Sequence, residues 1–282
     1  NLRRPIAYLE VQGYAYDALM YAAEVSKHTR PRKAFGYRAL AKRLQSKVFE
    51  LFWLSQRDTF AAALDRDPST DALRPLSTLS TVQPEILNSA IFDTLPHGER
   101  EKYITGVLKN FFTPEFQTPA GPRSISLKYA HLTEYYAYQG PETVWPVLAH
   151  LVARGLRRQG YTALAYDIAA RMVNTVQAAG SPRELFYVMR GGEGVVLAPE
   201  ECLSEEGEAL EICTTTHGEA NQTWTIAAII EAKRTILTDA PMPTAFEQVL
   251  VGRVVTALLN EEEFKSAFVN RLRISLYLGK GR

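Results

Sequence analysis

Ile6-Ala-Tyr-Leu-Glu-Val-Gln-Gly-Tyr-Ala-Tyr-Asp-Ala18 opens a segment in which Leu9, Tyr16, Leu19, Met20 and Ala23 recur at helical spacing. One face of a helix from Ile6 to about Lys27 is therefore apolar. Pro5 stands at its start, and Thr29-Arg30-Pro31 stops it, since proline lacks the N–H that a continuing helix needs. A second helix is predicted from about Lys33 to Leu54, with Leu40, Leu44, Val48, Leu51 and Phe52 on one face and basic residues on the other. Two helices joined by so short a break make an antiparallel pair.

Outward from this pair, Phe60-Ala-Ala-Ala-Leu-Asp65 and the region of Leu76 lose helical spacing and read as loop or short strand. Short helices follow over Pro84–Phe92 and Gly98–Phe112. Beyond the loop Thr118-Pro-Ala-Gly-Pro-Arg-Ser124, a second hairpin of helices is predicted over Thr143–Gln159 and Thr162–Ala178, broken by Gly160 and Gly180. Leu185–Val188 and Gly194–Leu197 flank Gly191-Gly192 as a β-hairpin, and no GxGxxG or Walker lysine accompanies them. Pro199–Glu219 reads as an acidic loop, Asn221–Leu237 and Thr244–Leu259 as helices, and Val269–Leu278 as a short strand. About eight helices in successive pairs suit either a helical repeat array or an α/α toroid. Repeats keep a fixed period near 34 residues, whereas the pair spacing here varies widely, which favours the toroid, whose loops at one end carry function.

Over 282 residues, 32 lysines and arginines face 31 acidic residues, a formal charge of +1. No cationic field steers the chain to nucleic acid or to an anionic membrane. No uncharged run approaches the roughly 18 residues of a membrane helix, so a soluble protein with neither nucleic-acid nor membrane partners is expected. Cys202 and Cys213 are too few for a disulfide framework and form no CxxC pair, which points to the cytoplasm. His28, His97, His131, His150 and His217 lie far apart in no HxxxH or HExxH pattern, so no metal and no cofactor is expected. Gly-x-Ser-x-Gly is absent, leaving esterase chemistry without support.

Four segments together resemble the (α/α)6-barrel glycoside hydrolases, specifically amylo-α-1,6-glucosidase (glycogen-debranching) and mannosylglycerate-hydrolase-like proteins. The Glu10-Val-Gln-Gly-Tyr14 run is similar to the family's helix opening and is the most specific of the four. Thr118-Pro-Ala-Gly-Pro-Arg-Ser-Ile-Ser126 resembles the family loop in which an arginine and a hydroxyl follow a glycine. Tyr138-Gln-Gly-Pro-Glu-Thr-Val-Trp-Pro146, continuing into Ala153-Arg-Gly-Leu-Arg-Arg-Gln-Gly-Tyr161, is like its Gly-x-Val-Trp-Pro segment and following helix. Arg183-Glu-Leu-Phe-Tyr-Val188, followed by Asn221-Gln-Thr-Trp-Thr-Ile-Ala-Ala228, is like its glutamate-aromatic strand and closing Gln-x-Trp helix.

The resemblance runs in order over residues 5 to 237 and implies an all-α (α/α)6 toroid of the six-hairpin glycosidase type with short β-hairpins in its loops. Residues 1–240 are expected to form the C-terminal part of the catalytic domain, and 241–282 a terminal helix and tail. Two departures bear on the pocket: Gln139 stands where the family has histidine or arginine, and Glu142-Thr143 widens the approach to Trp145. The family's general acid is an aspartate in a Trp-Lys-Asp-Ser-like loop upstream of the helix that here begins at Pro5. The resemblance therefore implies that the acid and the early barrel helices lie outside this sequence, and that upstream protein or another chain covers the first helix. The face bearing Leu9, Tyr16 and Met20 is expected to be the one so covered.

Glycosidic hydrolysis by inversion needs an acid on the leaving oxygen and a carboxylate roughly 6.5–9.5 Å away that activates water. The resemblance makes Glu184 that base, at the edge of the aromatic Leu185-Phe-Tyr187, where partial desolvation would raise its proton affinity; a surface glutamate at a strand start is the plain reading. Tyr14, Tyr16, Tyr138, Trp145 and Trp224 offer faces on which pyranose rings stack, although most aromatics serve only the core, as expected of Tyr8, Tyr21 and Tyr161. Glu10, Gln12, Arg123 and Gln222 are suited to hydrogen-bonding sugar hydroxyls and equally to capping a loop. The Gly155-Leu-Arg-Arg-Gln-Gly160 charge fits a helix C-terminus better than a phosphate site. Two functions stay open. One is an inverting hydrolase of α-linked glucosides, debranching or related, with an oligosaccharide substrate; this fragment alone would be inactive. The other is a non-catalytic toroid that binds carbohydrate or protein.

Overall fold

The computed structural model describes residues 6–133, 137–188, 195–196, 221–238 and 243–250, within two compact units, Asn1–Asn110 and Phe111–Arg282. Helices dominate the described residues, and the strands are short.

The first unit starts from the strand β1 (Ala7–Tyr8) and runs into α1 (Leu9–Ser26), whose first turn carries Glu10 where a negative charge suits the helix dipole. Pro31 at the first position of α2 (Pro31–Leu51) supplies a pre-set φ and sacrifices an N–H that would have no partner anyway. Leu9, Tyr16 and Ala23 of α1 are buried at seven-residue spacing, as are Ala34, Ala41 and Val48 of α2. The small residues in these rows let the antiparallel helices pack closely. Behind them β2 (Trp53–Leu54) and β3 (Thr59–Phe60) make a hairpin, and β1, β4 (Ala63–Arg66) and β5 (Leu73–Leu76) form an antiparallel sheet in the order β1-β4-β5. The β4–β5 connection is shaped by Asp67, whose carboxylate accepts from Ser69 and Thr70; those bonds hold its pKa down to about 2. α3 (Val82–Glu85), two 3-10 turns through Phe92 and α4 (His97–Phe111) complete the element order to this point. Phe49, Trp53, Phe60, Phe92 and Tyr103 stack edge-on or tilted in one aromatic core.

The described residues of the second unit include the hairpin β6 (Gln117–Thr118) and β7 (Gly121–Pro122), the sheet of β8 (Thr143–Val144), β9 (Phe186–Val188) and β10 (Val195–Val196) in the order β10-β9-β8, and several helices. α5 (Pro146–Arg158) and α6 (Thr162–Ala179) form the expected hairpin, and α7 (Thr223–Thr238) packs against both. Ala149, Val152 and Leu156 face Leu164, Ala165, Ile168 and Met172 in its core, joined by Ala228 and Ala232. Glu247 caps α6: its Oε1 accepts from Ala163 and Leu164 backbone N–H groups at 3.0 and 3.3 Å.

Several expectations need correction. Tyr8 and Tyr21 are not core residues; Tyr21 is 73% exposed, because it lies on the side of α1 opposite the 9/16/23 row. That row is buried against the first unit itself, so the exposed face of α1 is the one with Val11, Tyr14, Ala18, Tyr21 and Val25. Leu40 is also exposed, since Ala34, Ala41 and Val48 form the contact row of α2. The Thr143 helix start moves to Pro146: proline forces Trp145 out of the helical region, to φ −105° and ψ 115°, and Thr143–Val144 become strand. The acidic loop Pro199–Glu219, the terminal strand, the end of the Thr244 helix, Cys202, Cys213 and His217 lie outside the described residues.

Candidate active site

In the second unit the Thr118-Pro-Ala-Gly121 turn closes β6 on β7, with Thr118 Oγ1 donating to the Gly121 carbonyl at 2.7 Å. Gly121 has φ +129°, which side chains rarely adopt, and this is the local reason for glycine here. The hairpin delivers Arg123 into the interior, where it is 1% exposed and donates Nη1 to the Pro141 carbonyl at 2.8 Å. Ser124 adds a backbone bond to the Thr143 carbonyl at 2.8 Å. Arg123 thus fastens the loop that carries Tyr138 and Trp145. Across the hairpin, Arg171 of α6 donates to the Thr118 carbonyl and to Gln117 Oε1, both at 2.8 Å, and to Asp167 at 2.6 Å.

The Tyr138 loop is a tight turn closed by Gly140 N–H donating to the Ala137 carbonyl at 2.7 Å. A side chain at Gly140 would meet that carbonyl and the Glu142 Oε2 atom, each at 3.0 Å. From the turn the chain enters β8, which pairs with β9 in the register Thr143↔Tyr187 and Val144↔Phe186, reinforced by Val188 N–H donating to the Glu142 carbonyl. That register brings Trp145 beside Leu185. The Trp145 ring is buried, with the Tyr138 ring set edge-on to it at 4.9 Å and 83°.

Glu184 follows the C-terminus of α6, where Gly180 takes the left-handed cap conformation at φ 68°. It is 7% exposed and accepts a hydrogen bond at Oε1 from the Tyr138 hydroxyl at 2.7 Å. The start of α7 docks on the same segment: Gln222 N–H donates to the Pro182 carbonyl and Thr225 Oγ1 to the Arg183 carbonyl, both at 2.9 Å. Trp224, next to these, is 46% exposed. Tyr138 thus joins Glu184 and Trp145, with Arg123 buried beneath the loop, while the start of α7 carries Gln222 and Trp224 onto the segment just before Glu184.

The first unit carries Glu10, Gln12 and Tyr16 on α1. Tyr16 is in its core, and half-buried Gln12 donates to the Tyr8 carbonyl at 3.0 Å. Glu10 is half-buried, its Oε2 has no hydrogen-bond partner among the described residues, and burial pushes its pKa up. Glu85 is more deeply buried; desolvation raises its pKa, the Tyr14 hydroxyl it accepts offsets part of this, and the Glu10 charge adds to it. Sequence reading missed Glu85, because only the fold sets it against Tyr14, and missed Arg171. An arginine at the centre of the Ile168/Met172/Thr175 face was the signal available for the latter. No three His, Cys, Asp or Glu side chains among the described residues are grouped to hold a metal, and no described helix is long and apolar enough to cross a membrane.

Against known proteins, residues 7–225 match the sequence model of the mannosylglycerate hydrolase MGH1-like glycoside hydrolase domain. Among solved structures, neutral trehalase Nth1 from Saccharomyces cerevisiae superposes with a TM-score of 0.57 at 13% identity, covering 96% of this chain and 44% of that one. The chain thus spans less than half of the trehalase, and at this identity the likeness shows the fold, that of the (α/α)6 glycosidases. No curated protein matches the sequence.

Proposed function

We propose that this chain, which belongs to the mannosylglycerate hydrolase MGH1-like glycoside hydrolase family, provides the base side of an inverting active site for α-linked glucosides of the debranching or a related type. The observation that supports this most is Glu184: a nearly buried carboxylate bonded to Tyr138 and backed by the Tyr138–Trp145 aromatic corner, where three helix ends meet. In this reading Glu184 takes a proton from a water as its oxygen attacks the anomeric carbon. The bond to the leaving oxygen breaks as the general acid protonates it, and configuration inverts.

In this reading no residue of this chain is assigned the part of the general acid. In the second unit Tyr138, Trp145 and Trp224 offer sugar-facing rings, Gln222 hydrogen-bonds hydroxyls, and buried Arg123 holds the loop from beneath. The exposed α1 stripe of Val11, Tyr14, Tyr21 and Val25 is proposed to pack against another protein surface. Two cysteines without a disulfide framework accord with a cytoplasmic enzyme.

The test is hydrolysis by the full-length protein of malto-oligosaccharides, α-1,6-branched dextrin and mannosylglycerate, with the anomer released followed by proton NMR. Release of the inverted sugar from an α-glucoside supports the reading. Cleavage of mannosylglycerate alone moves the substrate to the compound in the family's name. Binding without cleavage of any of them makes the chain part of a carbohydrate-binding toroid.

A further inference from the structure

Resting on Glu184 as the base, we infer that Tyr138 is its positioning residue: the phenol holds the Glu184 carboxylate in the orientation from which it takes a proton from water. The geometry is a 2.7 Å hydrogen bond from the Tyr138 hydroxyl to Oε1, made between residues 46 positions apart in sequence. A glutamate has three side-chain torsions, and a carboxylate that swings between rotamers presents its lone pair to water only part of the time. A fixed donor on Oε1 restricts that freedom. Catalytic groups are commonly held in this way by a hydrogen-bonded neighbour.

The mount of Tyr138 is stiff enough for the work. Its ring lies edge-on to buried Trp145, and its backbone sits in the turn closed between Ala137 and Gly140. Any side chain at Gly140 would press on that turn. The turn is tied down by Arg123 through Pro141, and Thr143 Oγ1 donates to the Gly140 carbonyl at 2.8 Å. A tyrosine that served only as a stacking surface would need neither its hydroxyl nor this anchoring. With the ring 39% exposed, the bond to Glu184 lies at the edge of the site, where it can fix the carboxylate without displacing a sugar.

Tyr138→Phe keeps the ring on Trp145 and removes only the O–H. In the full-length protein with maltotriose as probe, kcat is expected to fall by about 10- to 100-fold, the range a small misplacement of a catalytic group produces, with KM within about threefold of wild type. Tyr138→Leu, which also loses the ring, should raise KM as well. Solution NMR of protein labelled at tyrosine Cζ gives a second readout independent of turnover. The resonance that Tyr138→Phe deletes should shift in Glu184→Gln. If Glu184→Gln is inactive while Tyr138→Phe matches wild type, or raises only KM, or if the Tyr138 resonance ignores Glu184→Gln, the positioning role is wrong and the base assignment stands. An active Glu184→Gln, or a wild type that cleaves nothing, overturns both.

Discussion

The Tyr14 hydroxyl donates to the carboxylate of Glu85, joining α1 to α3 across 71 residues of sequence. Glu85 is buried, and burial raises its pKa above 4.5, as it does for Glu10 nearby. A carboxyl whose folded pKa is raised binds its proton more tightly when folded. Its contribution to stability is therefore full below about pH 4.5 and is lost as pH rises through the folded value. The first unit should become less stable as pH rises through that window, and Glu85→Gln, which can still accept from Tyr14, should flatten the slope. Thermal melts from pH 4 to pH 8 check this. Tyr14→Phe should cost about 1–3 kcal/mol at pH 8, where the carboxylate is charged and has lost a donor, and less at pH 4.

Two glycines on helices should respond oppositely to the same substitution. A Cβ on Gly106 would lie 2.9 Å from Trp53 Cη2 and also meet the Asp58 carbonyl, whereas one on Gly36 meets nothing within 4 Å. Gly106→Ala should destabilise the first unit by about 1–3 kcal/mol through overpacking. Gly36→Ala should stabilise it by about 0.5–1 kcal/mol through helix propensity. Urea denaturation of both variants reads the difference.

Arg171→Met should loosen the hairpin that carries Arg123. The substitution leaves the Thr118 carbonyl, Gln117 and Asp167 without their guanidinium donor. The cost expected for breaking such a buried pair is about 3 kcal/mol, with new protease cleavage near residues 118–121. Unchanged stability and an unchanged cleavage pattern would mean that the guanidinium does not hold this loop.

Much of the helical frame was legible because its punctuation is local. Pro31, Gly160 and Gly180 end or begin helices for reasons of backbone geometry that need no tertiary context. The pairing of α1 with α2 and of α5 with α6 followed from short breaks between apolar periods. What the sequence could not resolve is which of two apolar faces is inward. Tyr8 and Tyr21 looked like core, yet only packing chooses the 9/16/23 row over the 11/14/18/21/25 row. Of the candidate site, the segments were legible, since Tyr138, Trp145 and Glu184, which the structure brings together, stood in the quoted motifs. The Tyr138–Glu184 bond and the Tyr14–Glu85 bond were not, because each joins residues far apart in the chain.

The exposed α1 stripe carries its own expectation. Val11, Tyr14, Tyr21 and Val25, with Phe35 of α2, present apolar surface of a kind that monomers rarely leave bare. The 282-residue chain expressed alone should associate in solution scattering, and Tyr21→Lys with Val25→Lys should reduce that association. A compact monomer of the unsubstituted chain would contradict a covering partner.

The central claim is that Glu184 is the general base, and Glu184→Gln in the full-length protein tests it most directly. Glutamine keeps the shape and can still accept from Tyr138, but it cannot take a proton from water. Turnover of malto-oligosaccharide or branched dextrin should fall by about 10² to 10⁴, while calorimetric affinity stays within a few fold, because ground-state contacts survive. Turnover close to that of wild type would contradict the claim, and equal loss of turnover and binding would make Glu184 a substrate contact instead.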